Sequence, residues 1–137
     1  MELRIFTDGG ARGNPGPAGI GMVFRGLPDF AEDHEQYLGH ATNNVAEYTA
    51  VREALKIVPS LQTPEPITKL CFFLDSQLVV CQINGIYKIK EPTLQQLNRE
   101  VHELLAGLKL PYTFTHVPRA QNAEADKLVN HALDTHV

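Results

Sequence analysis

The sequence predicts an α/β fold: a mixed sheet of five strands flanked by helices, in the element order βββαβααβα. The N-terminal part contains three strand-like segments with short connections, which is typical of an antiparallel meander. The later part alternates strand-like runs with helical periodicity, which is typical of parallel strands joined by crossovers. We therefore expect strand 1 at the centre, with strands 1–3 antiparallel and strands 1, 4 and 5 parallel.

The three N-terminal strands are predicted from period-two alternation and from the loops between them. Leu3, Ile5 and Thr7 share one face of the first segment. A loop dense in glycine and proline follows from Gly9 to Pro17. A second loop is expected from Gly26 to Glu35. The predicted strands are 2–8, 18–24 and 36–42.

The remaining elements are predicted from helical periodicity and from one continuous apolar run. Ala50, Val51 and Ala54 fall on one face of a helix that ends before Pro59. The run from Leu70 to Leu74 indicates a strand buried on both faces. The predicted elements are a helix over 44–58, a strand over 67–74, helices over 76–83 and 92–106, a strand over 112–117 and a helix over 123–133.

The composition predicts a single globular domain that spans 1–137. The chain has 137 residues, of which 43% are hydrophobic and 20% charged. The N-terminus enters a strand pattern without the features of a signal peptide, and no apolar stretch is long enough to span a membrane. Two cysteines in predicted buried elements favour free thiols in a reducing, cytoplasmic compartment. We expect a monomer.

Net charge neither supports nor excludes a nucleic-acid partner. The formal charge is −4, which by itself argues against binding a polyanion. Four of the 16 acidic residues fall at positions where they would cluster, and without them the 12 basic and 12 acidic residues balance. Two bound divalent cations would therefore bring the protein near neutrality. The absence of a dense basic stripe predicts modest non-specific affinity.

Four acids are predicted to meet at one edge of the sheet. Asp8 and Asp75 each end an apolar run, and the carboxyl ends of neighbouring parallel strands converge there. Glu47 and Asp126 lie in the first turns of predicted helices, on their inward faces. Four carboxylates in one small site require a cationic partner, and oxygen ligands suit Mg²⁺ or Mn²⁺. This pattern predicts metal-dependent chemistry.

Each acid also has a purely structural interpretation. Asp75 could cap the helix that follows it, and Glu47 could form a capping box with Asn44. Asp126 could complement a helix dipole, and Asp8 could start the glycine-rich turn. Their conjunction favours a metal, because no lysine or arginine occupies a matching inward position.

Five short motifs resemble those of type 1 ribonuclease H, in order and with sensible spacing from about residue 3 to 133. They are Phe6-Thr7-Asp8-Gly9-Gly10, Gly13-Asn14-Pro15-Gly16-Pro17, Thr42-Asn43-Asn44-x-x-Glu47, Asp75-Ser76-Gln77 and Asn122-Ala123-Glu124-Ala125-Asp126. The resemblance implies the ribonuclease H-like fold and endonucleolytic cleavage of the RNA strand of an RNA–DNA hybrid with two Mg²⁺ or Mn²⁺ ions. It implies that Asp8, Glu47, Asp75 and Asp126 are the catalytic, metal-binding carboxylates. Such hydrolysis needs one ion to generate hydroxide and a second to stabilise the departing oxyanion.

The resemblance also implies a set of contacts with the hybrid. Selecting RNA requires groups that hydrogen bond to 2′-hydroxyls across a wide minor groove. An alternative role for these polar residues is turn formation and helix capping. The implied nucleic-acid-binding residues are Gly9, Gly10, Ala11, Arg12, Gly13, Asn14, Asn43, Asn44 and Gln77, with Thr42 in a pocket for a DNA phosphate.

The sequence departs from the family pattern in two places. His116 has the spacing of the family's general acid/base histidine, but Pro118 stiffens a segment that is often rich in glycine. A packed strand histidine is the alternative, and Arg119 could instead contact the leaving phosphate or aid product release. The basic protrusion of many bacterial members is represented only by Lys88 and Lys90. Hybrid binding is then either weak and salt-sensitive, or supported by few basic residues.

The leading hypothesis is an active ribonuclease specific for RNA–DNA hybrids. One alternative is a non-catalytic nucleic-acid-binding module of the same fold, against which the four intact acids argue. Another is a metal-dependent nuclease or phosphatase with a different substrate, such as double-stranded RNA or single-stranded DNA. The polar residues Asn43, Asn44 and Gln77 favour the hybrid.

Overall fold

The computed structural model describes residues 1–136. Its elements are β1 (Glu2–Ala11), β2 (Gly16–Gly26), β3 (Phe30–Ala41), α1 (Asn43–Ile57), a 3₁₀ helix (Val58–Ser60), β4 (Lys69–Leu74), α2 (Gln77–Ile83), α3 (Pro92–Leu108), β5 (Tyr112–His116), a second 3₁₀ helix (Arg119–Asn122) and α4 (Ala123–Thr135). The strands form one sheet in the order β3-β2-β1-β4-β5. Strands β1, β2 and β3 pair antiparallel, whereas β1, β4 and β5 pair parallel. The predicted fold class is confirmed, with β1 at the centre.

The N-terminal hairpins are longer than the sequence predicts. β1 continues past Asp8 to Ala11, and β2 already begins at Gly16, so the predicted loop is mostly strand. The second predicted loop is also wrong, because β3 begins at Phe30. Its hydrophilic residues mimic a loop, but β3 is an edge strand whose acids form ion pairs. Asp33 pairs with Arg25 at 2.6 Å.

Helices cover the two faces of the sheet unequally. On one face, α1 and α3 pack over a core that includes Leu3, Ile5 and Phe72. On the other face, α4 contacts β1, β2 and β3. Phe73, on β4, is only half-buried, so the predicted burial of this strand on both faces is incomplete. No helix within residues 1–136 has the length and apolar character needed to cross a membrane.

Two glycines allow helices to lie directly against strands near the carboxyl end of β1. A Cβ atom on Gly9 would collide with the backbone of α1 at Ala46 and Glu47. A Cβ atom on Gly21 would collide with the carbonyl of Ala125 in α4. Each glycine therefore permits a close approach that a larger residue excludes. As a result, one acid on each helix is brought toward the end of β1.

Candidate active site

Three carboxylates from three different elements converge at the carboxyl end of the parallel strands. Asp8 is on β1, Glu47 is on α1, and Asp75 directly follows β4. One ligand oxygen from each residue lies within 4.8 Å of the other two. Asp8 and Glu47 are each only 7% exposed, and Asp75 is partly buried. The convergence expected from parallel strand ends is therefore present.

The fourth acid, Asp126, lies on the first turn of α4 and lines the same cavity. This cavity has a volume of about 440 Å³, and the compact group of three acids also lines it. The Asp126 side chain is 34% exposed and lies 3.8 Å from the guanidinium of Arg119. The other residues lining the cavity are Gly9, Gly10, Ala11, Arg12, Asn43, Arg119, Val129, Asn130 and Leu133.

The buried acids hold protons more tightly than ordinary carboxylic acids. Burial raises the pKa of Asp8 to about 7, and the negative charges of Asp75 and Asp126 act in the same direction. Burial, followed by the charge of Asp8, raises the pKa of Glu47 well above its usual value. Burial is also the main cause that raises the pKa of Asp75. The lysine and arginine side chains of the protein therefore compensate little of the negative charge that this cluster carries when its acids are ionised.

Neighbouring residues take the helix-capping roles that the acids could have had. The N-cap of α1 is Thr42, whose Oγ1 accepts a hydrogen bond from the backbone N–H of Val45 at 3.2 Å. The N-cap of α2 is Ser76, whose Oγ accepts from Val79 N–H at 3.3 Å. The capping alternatives for Glu47 and Asp75 are therefore wrong. Both carboxylates are left available to the cluster.

The cluster fits a divalent cation on two grounds. Oxygen Oε2 of Glu47 is buried and has no hydrogen-bond partner among residues 1–136, and such an orphaned acceptor is costly unless a ligand satisfies it. The neighbouring donors are all carboxylate oxygens, which hard cations such as Mg²⁺ and Mn²⁺ prefer. Asp8, Glu47 and Asp75 would hold the ion, with Asp126 at the open side of the cavity.

Known proteins of similar sequence and structure identify the family. A family model described as reverse transcriptase-like matches residues 6–132. A ribonuclease HI of Halobacterium salinarum is 38% identical over 97% of this chain and 65% of its own length. The crystal structure of LC11-RNase H1 in complex with an RNA/DNA hybrid superposes with a TM-score of 0.90 at 40% identity, covering 97% of both chains. The chain belongs to the type 1 ribonuclease H family.

Some members of this family are considerably longer than this chain. A bifunctional protein of Mycobacterium tuberculosis is 38% identical over 98% of this chain, which spans only 36% of that protein. The chain therefore corresponds to one part of that relative. The matched region covers nearly the whole of this chain, including all four acids.

The family's expected hybrid contacts fall into two groups in the structure. Gly9, Gly10, Ala11, Arg12 and Asn43 line the cavity, and Gly13, Asn14, Thr42, Asn44 and Gln77 lie outside its lining. Two of these side chains hold the β1–β2 loop to α1. The Asn43 backbone N–H donates to Asn14 Oδ1 at 3.0 Å, and the Ala11 backbone N–H donates to Asn43 Oδ1 at 2.8 Å. These two asparagines therefore do shape the loop, and their hydrogen bonds hold the surface beside the acids in place.

The two expected proton-transfer candidates occupy different places. His116 is the last residue of β5, opposite Leu74, and its side chain is exposed rather than packed. It does not line the cavity. Arg119, on the second 3₁₀ helix, does line the cavity beside Asp126, although its side chain is 83% exposed. In this structure Arg119 is the nearer of the two to the acids.

The sequence assigned no role to two asparagines that lie beside the acids. Asn130 lines the cavity and donates a hydrogen bond from Nδ2 to the backbone carbonyl of Asp126 at 3.1 Å. Asn122 is 1% exposed and donates from Nδ2 to the carbonyl of Thr7 at 2.8 Å. In the sequence Asn122 has the signature of a helix cap, whereas its side chain makes no capping hydrogen bond. In the sequence, the only signal of a role for Asn122 was its place in the motif Asn122-Ala123-Glu124-Ala125-Asp126.

Proposed function

We propose that this chain is an endoribonuclease that hydrolyses the RNA strand of RNA–DNA hybrids with two divalent cations, Mg²⁺ or Mn²⁺. The observation that carries the proposal is the buried, uncompensated group of Asp8, Glu47 and Asp75, with Asp126 in the same cavity. The hybrid bound in LC11-RNase H1 supports the choice of substrate, because that protein covers nearly the whole of this chain.

The four acids would hold the cations, and Asp8 would occupy the centre of the arrangement. Asp8 lies close to both Glu47 and Asp75, and the charges of Asp75 and Asp126 both act on it. Bound divalent cations supply the Lewis acidity and charge neutralisation that phosphodiester hydrolysis requires. Burial of Asp8 and Glu47 keeps both carboxylates in fixed orientations and limits their access to water.

Residues in and around the cavity would select and orient the substrate. Backbone amides from Gly9 to Gly13, together with Asn14, Asn43, Asn44 and Gln77, would contact the RNA strand, including its 2′-hydroxyls. Thr42 would contribute to a pocket for a DNA phosphate, and Arg12 would contact a phosphate. Either His116 or Arg119 would move a proton or aid product release.

We also propose that the protein is a monomer that acts as a single domain. It would work in the cytoplasm and would not contact a membrane. The two free cysteines, Cys71 and Cys81, support a reducing compartment. A sedimentation experiment at micromolar concentration tests the monomer, since a dimer would double the measured mass.

The test of the proposed function compares four labelled substrates at equal concentration, with Mg²⁺ and with a chelator. They are an RNA–DNA hybrid, a DNA duplex, double-stranded RNA and single-stranded DNA. We expect cleavage of the RNA strand of the hybrid, and only when Mg²⁺ is present. The DNA duplex should be spared because it lacks 2′-hydroxyls. Equal cleavage of the DNA duplex would exclude hybrid specificity. Hybrid binding without cleavage in Mg²⁺ would favour the non-catalytic module.

A further inference from the structure

Strands β1 and β4 separate just before the acids that they carry. Their parallel pairing ends at Phe6 and Phe73, and β4 itself ends at Leu74. Asp8 and Asp75 therefore lie beyond the last paired residues of the two strands. The pairing of β1 with β4 therefore does not by itself set the distance between their carboxylates, and a side-chain contact across the gap can contribute to it.

Asn122 occupies this gap. Its side chain is 1% exposed, and its Nδ2 donates a hydrogen bond at 2.8 Å to the carbonyl of Thr7, the residue before Asp8. The side chain of Asn122 also acts on the Asp75 carboxylate, because its polarity helps to lower the pKa of that acid. A primary amide has two N–H donors, enough for one on each strand. One side chain thus holds the residue before Asp8 and acts on the carboxylate of Asp75.

The position of Asn122 also connects the third element of the site. It is the last residue of the second 3₁₀ helix and directly precedes α4, on which Asp126 lies four residues later. The contact with Thr7 joins residues separated by 115 positions in sequence. Movement of the α4 N-terminus relative to β1 is therefore restrained at the point where both elements present an acid.

A structural role alone does not account for an asparagine here. Its side chain makes no capping hydrogen bond with α4. Its Oδ1 is buried and has no hydrogen-bond partner among residues 1–136, which costs free energy compared with a smaller apolar side chain. The Nδ2 amide group is the part of the side chain that is used, and it donates to the strand that carries Asp8.

We propose that Asn122 is a positioning residue that sets the separation of Asp8 and Asp75, and thereby the affinity of the cluster for divalent cations. This inference rests on the proposed function, because it assumes that the acids bind metal. Residues that orient metal ligands through hydrogen bonds commonly alter metal affinity by about 10- to 100-fold when removed.

The test compares Asn122→Ala with Asn84→Ala by Mn²⁺ titration calorimetry and thermal melting. Asn84 is a matched control, because its Nδ2 also donates to a strand carbonyl, that of Phe114 at 3.1 Å, outside the acid cluster. We expect both variants to melt at lower temperature. Only Asn122→Ala should weaken Mn²⁺ binding, by about 10-fold or more, and raise the Mg²⁺ concentration for half-maximal cleavage. Equal Mn²⁺ affinity in both variants would overturn the proposal.

The variant Asn122→Asp separates positioning from charge and decides the question if Asn122→Ala does not fold. It preserves the shape of the side chain, adds a negative charge and removes the donors. Charge alone would strengthen Mn²⁺ binding, whereas loss of positioning should weaken it about 10-fold. Tighter binding would overturn the proposal. A wild-type protein that neither binds Mn²⁺ nor cleaves hybrid would refute the proposed function itself, whereas an active wild type with Mn²⁺ affinity unchanged in both variants would refute only this inference.

Discussion

The two sides of the cavity contain the same kind of charge in opposite environments. On the buried side, Asp8 and Glu47 are 7% exposed and burial raises the pKa of both. On the open side, Asp126 is 34% exposed and lies beside the guanidinium of Arg119. Burial is the largest cause of the raised pKa values on the buried side, and the charges of neighbouring acids add to it. The buried side is suited to binding metal. The open side is suited to exposed ion pairs whose partners a substrate can replace.

The strongest test of this comparison is Asp8→Asn on the buried side. We expect hybrid cleavage to be abolished, because the change removes a central metal ligand. We also expect the metal-free protein to stay folded or become more stable at neutral pH, because repulsion within the cluster is relieved. Cleavage rates in Mg²⁺ and thermal melts measure both effects. A variant with more than about a tenth of the wild-type rate, a barrier change below ~1.4 kcal/mol, would remove Asp8 from the centre of the site.

Asp126→Asn is the matched change on the open side. It should also impair cleavage, but it should stabilise the metal-free protein less than Asp8→Asn does, because Asp126 is more exposed. Equal stabilisation by the two variants would contradict the difference between the two sides.

Next in size are the effects of His116→Ala and Arg119→Ala, which act outside the buried group. If His116 transfers protons, its loss should lower turnover by roughly 10²-fold or less and leave Mn²⁺ affinity nearly unchanged. A larger loss in Arg119→Ala, with His116→Ala silent, would assign the role to the residue that lines the cavity. Single-turnover and steady-state rates together distinguish chemistry from product release. Unchanged rates in both variants would exclude both residues.

A smaller effect is expected in the pH dependence of stability without metal. The pKa of Asp8 rises from 3.8 to about 7 on folding, so between these values the native state binds a proton that the unfolded state has released. The free energy of unfolding should therefore fall as pH rises through this window, by up to ~1.4 kcal/mol per pH unit for each such proton. Urea unfolding at several pH values measures the slope.

Mg²⁺ and the Asp8→Asn variant provide the controls for this slope. Mg²⁺ binds the ionised cluster, so its stabilising effect should grow as pH rises. Asp8→Asn removes one titrating group and should flatten the dependence without metal. A wild-type stability that rises with pH between 4 and 7 would contradict the raised pKa of the buried acids.

The positions of the buried acids could be predicted from the sequence. Asp8 and Asp75 were predictable as neighbours because each ends an apolar run, and parallel strand ends meet at one edge. Glu47 was predictable as inward-facing from helical periodicity. These inferences rest on local patterns, which a sequence contains in full.

Features set by long-range packing were not predictable. Capping was ambiguous because Thr42 and Ser76 each stand close to other residues able to cap, and tertiary structure decides where a helix begins. Residues Glu32–Glu35 have the composition of a loop, and pairing with β2 makes them an edge strand. The contact between Asn122 and Thr7 joins distant parts of the chain, so no local pattern reveals it.

The smallest expected effect concerns Arg12 on the open side. Its guanidinium lies 2.6 Å from Asp134, and the two side chains are 49% and 64% exposed. Such exposed pairs contribute little stability, about 0–1 kcal/mol, so a substrate phosphate can replace the aspartate. We expect Arg12→Ala to weaken hybrid binding several-fold, and to reduce the slope of log Kd against log salt by about one, as loss of one phosphate contact predicts.

Asp134→Asn is the control, because it frees Arg12 without removing it. If the two residues compete for the same guanidinium, Asp134→Asn should tighten hybrid binding by a small factor. The double variant should bind as weakly as Arg12→Ala, because the effect of Asp134 then operates through Arg12. An unchanged salt slope in Arg12→Ala would mean that Arg12 contacts no phosphate. Additive effects in the double variant would mean that Asp134 acts only as a nearby negative charge.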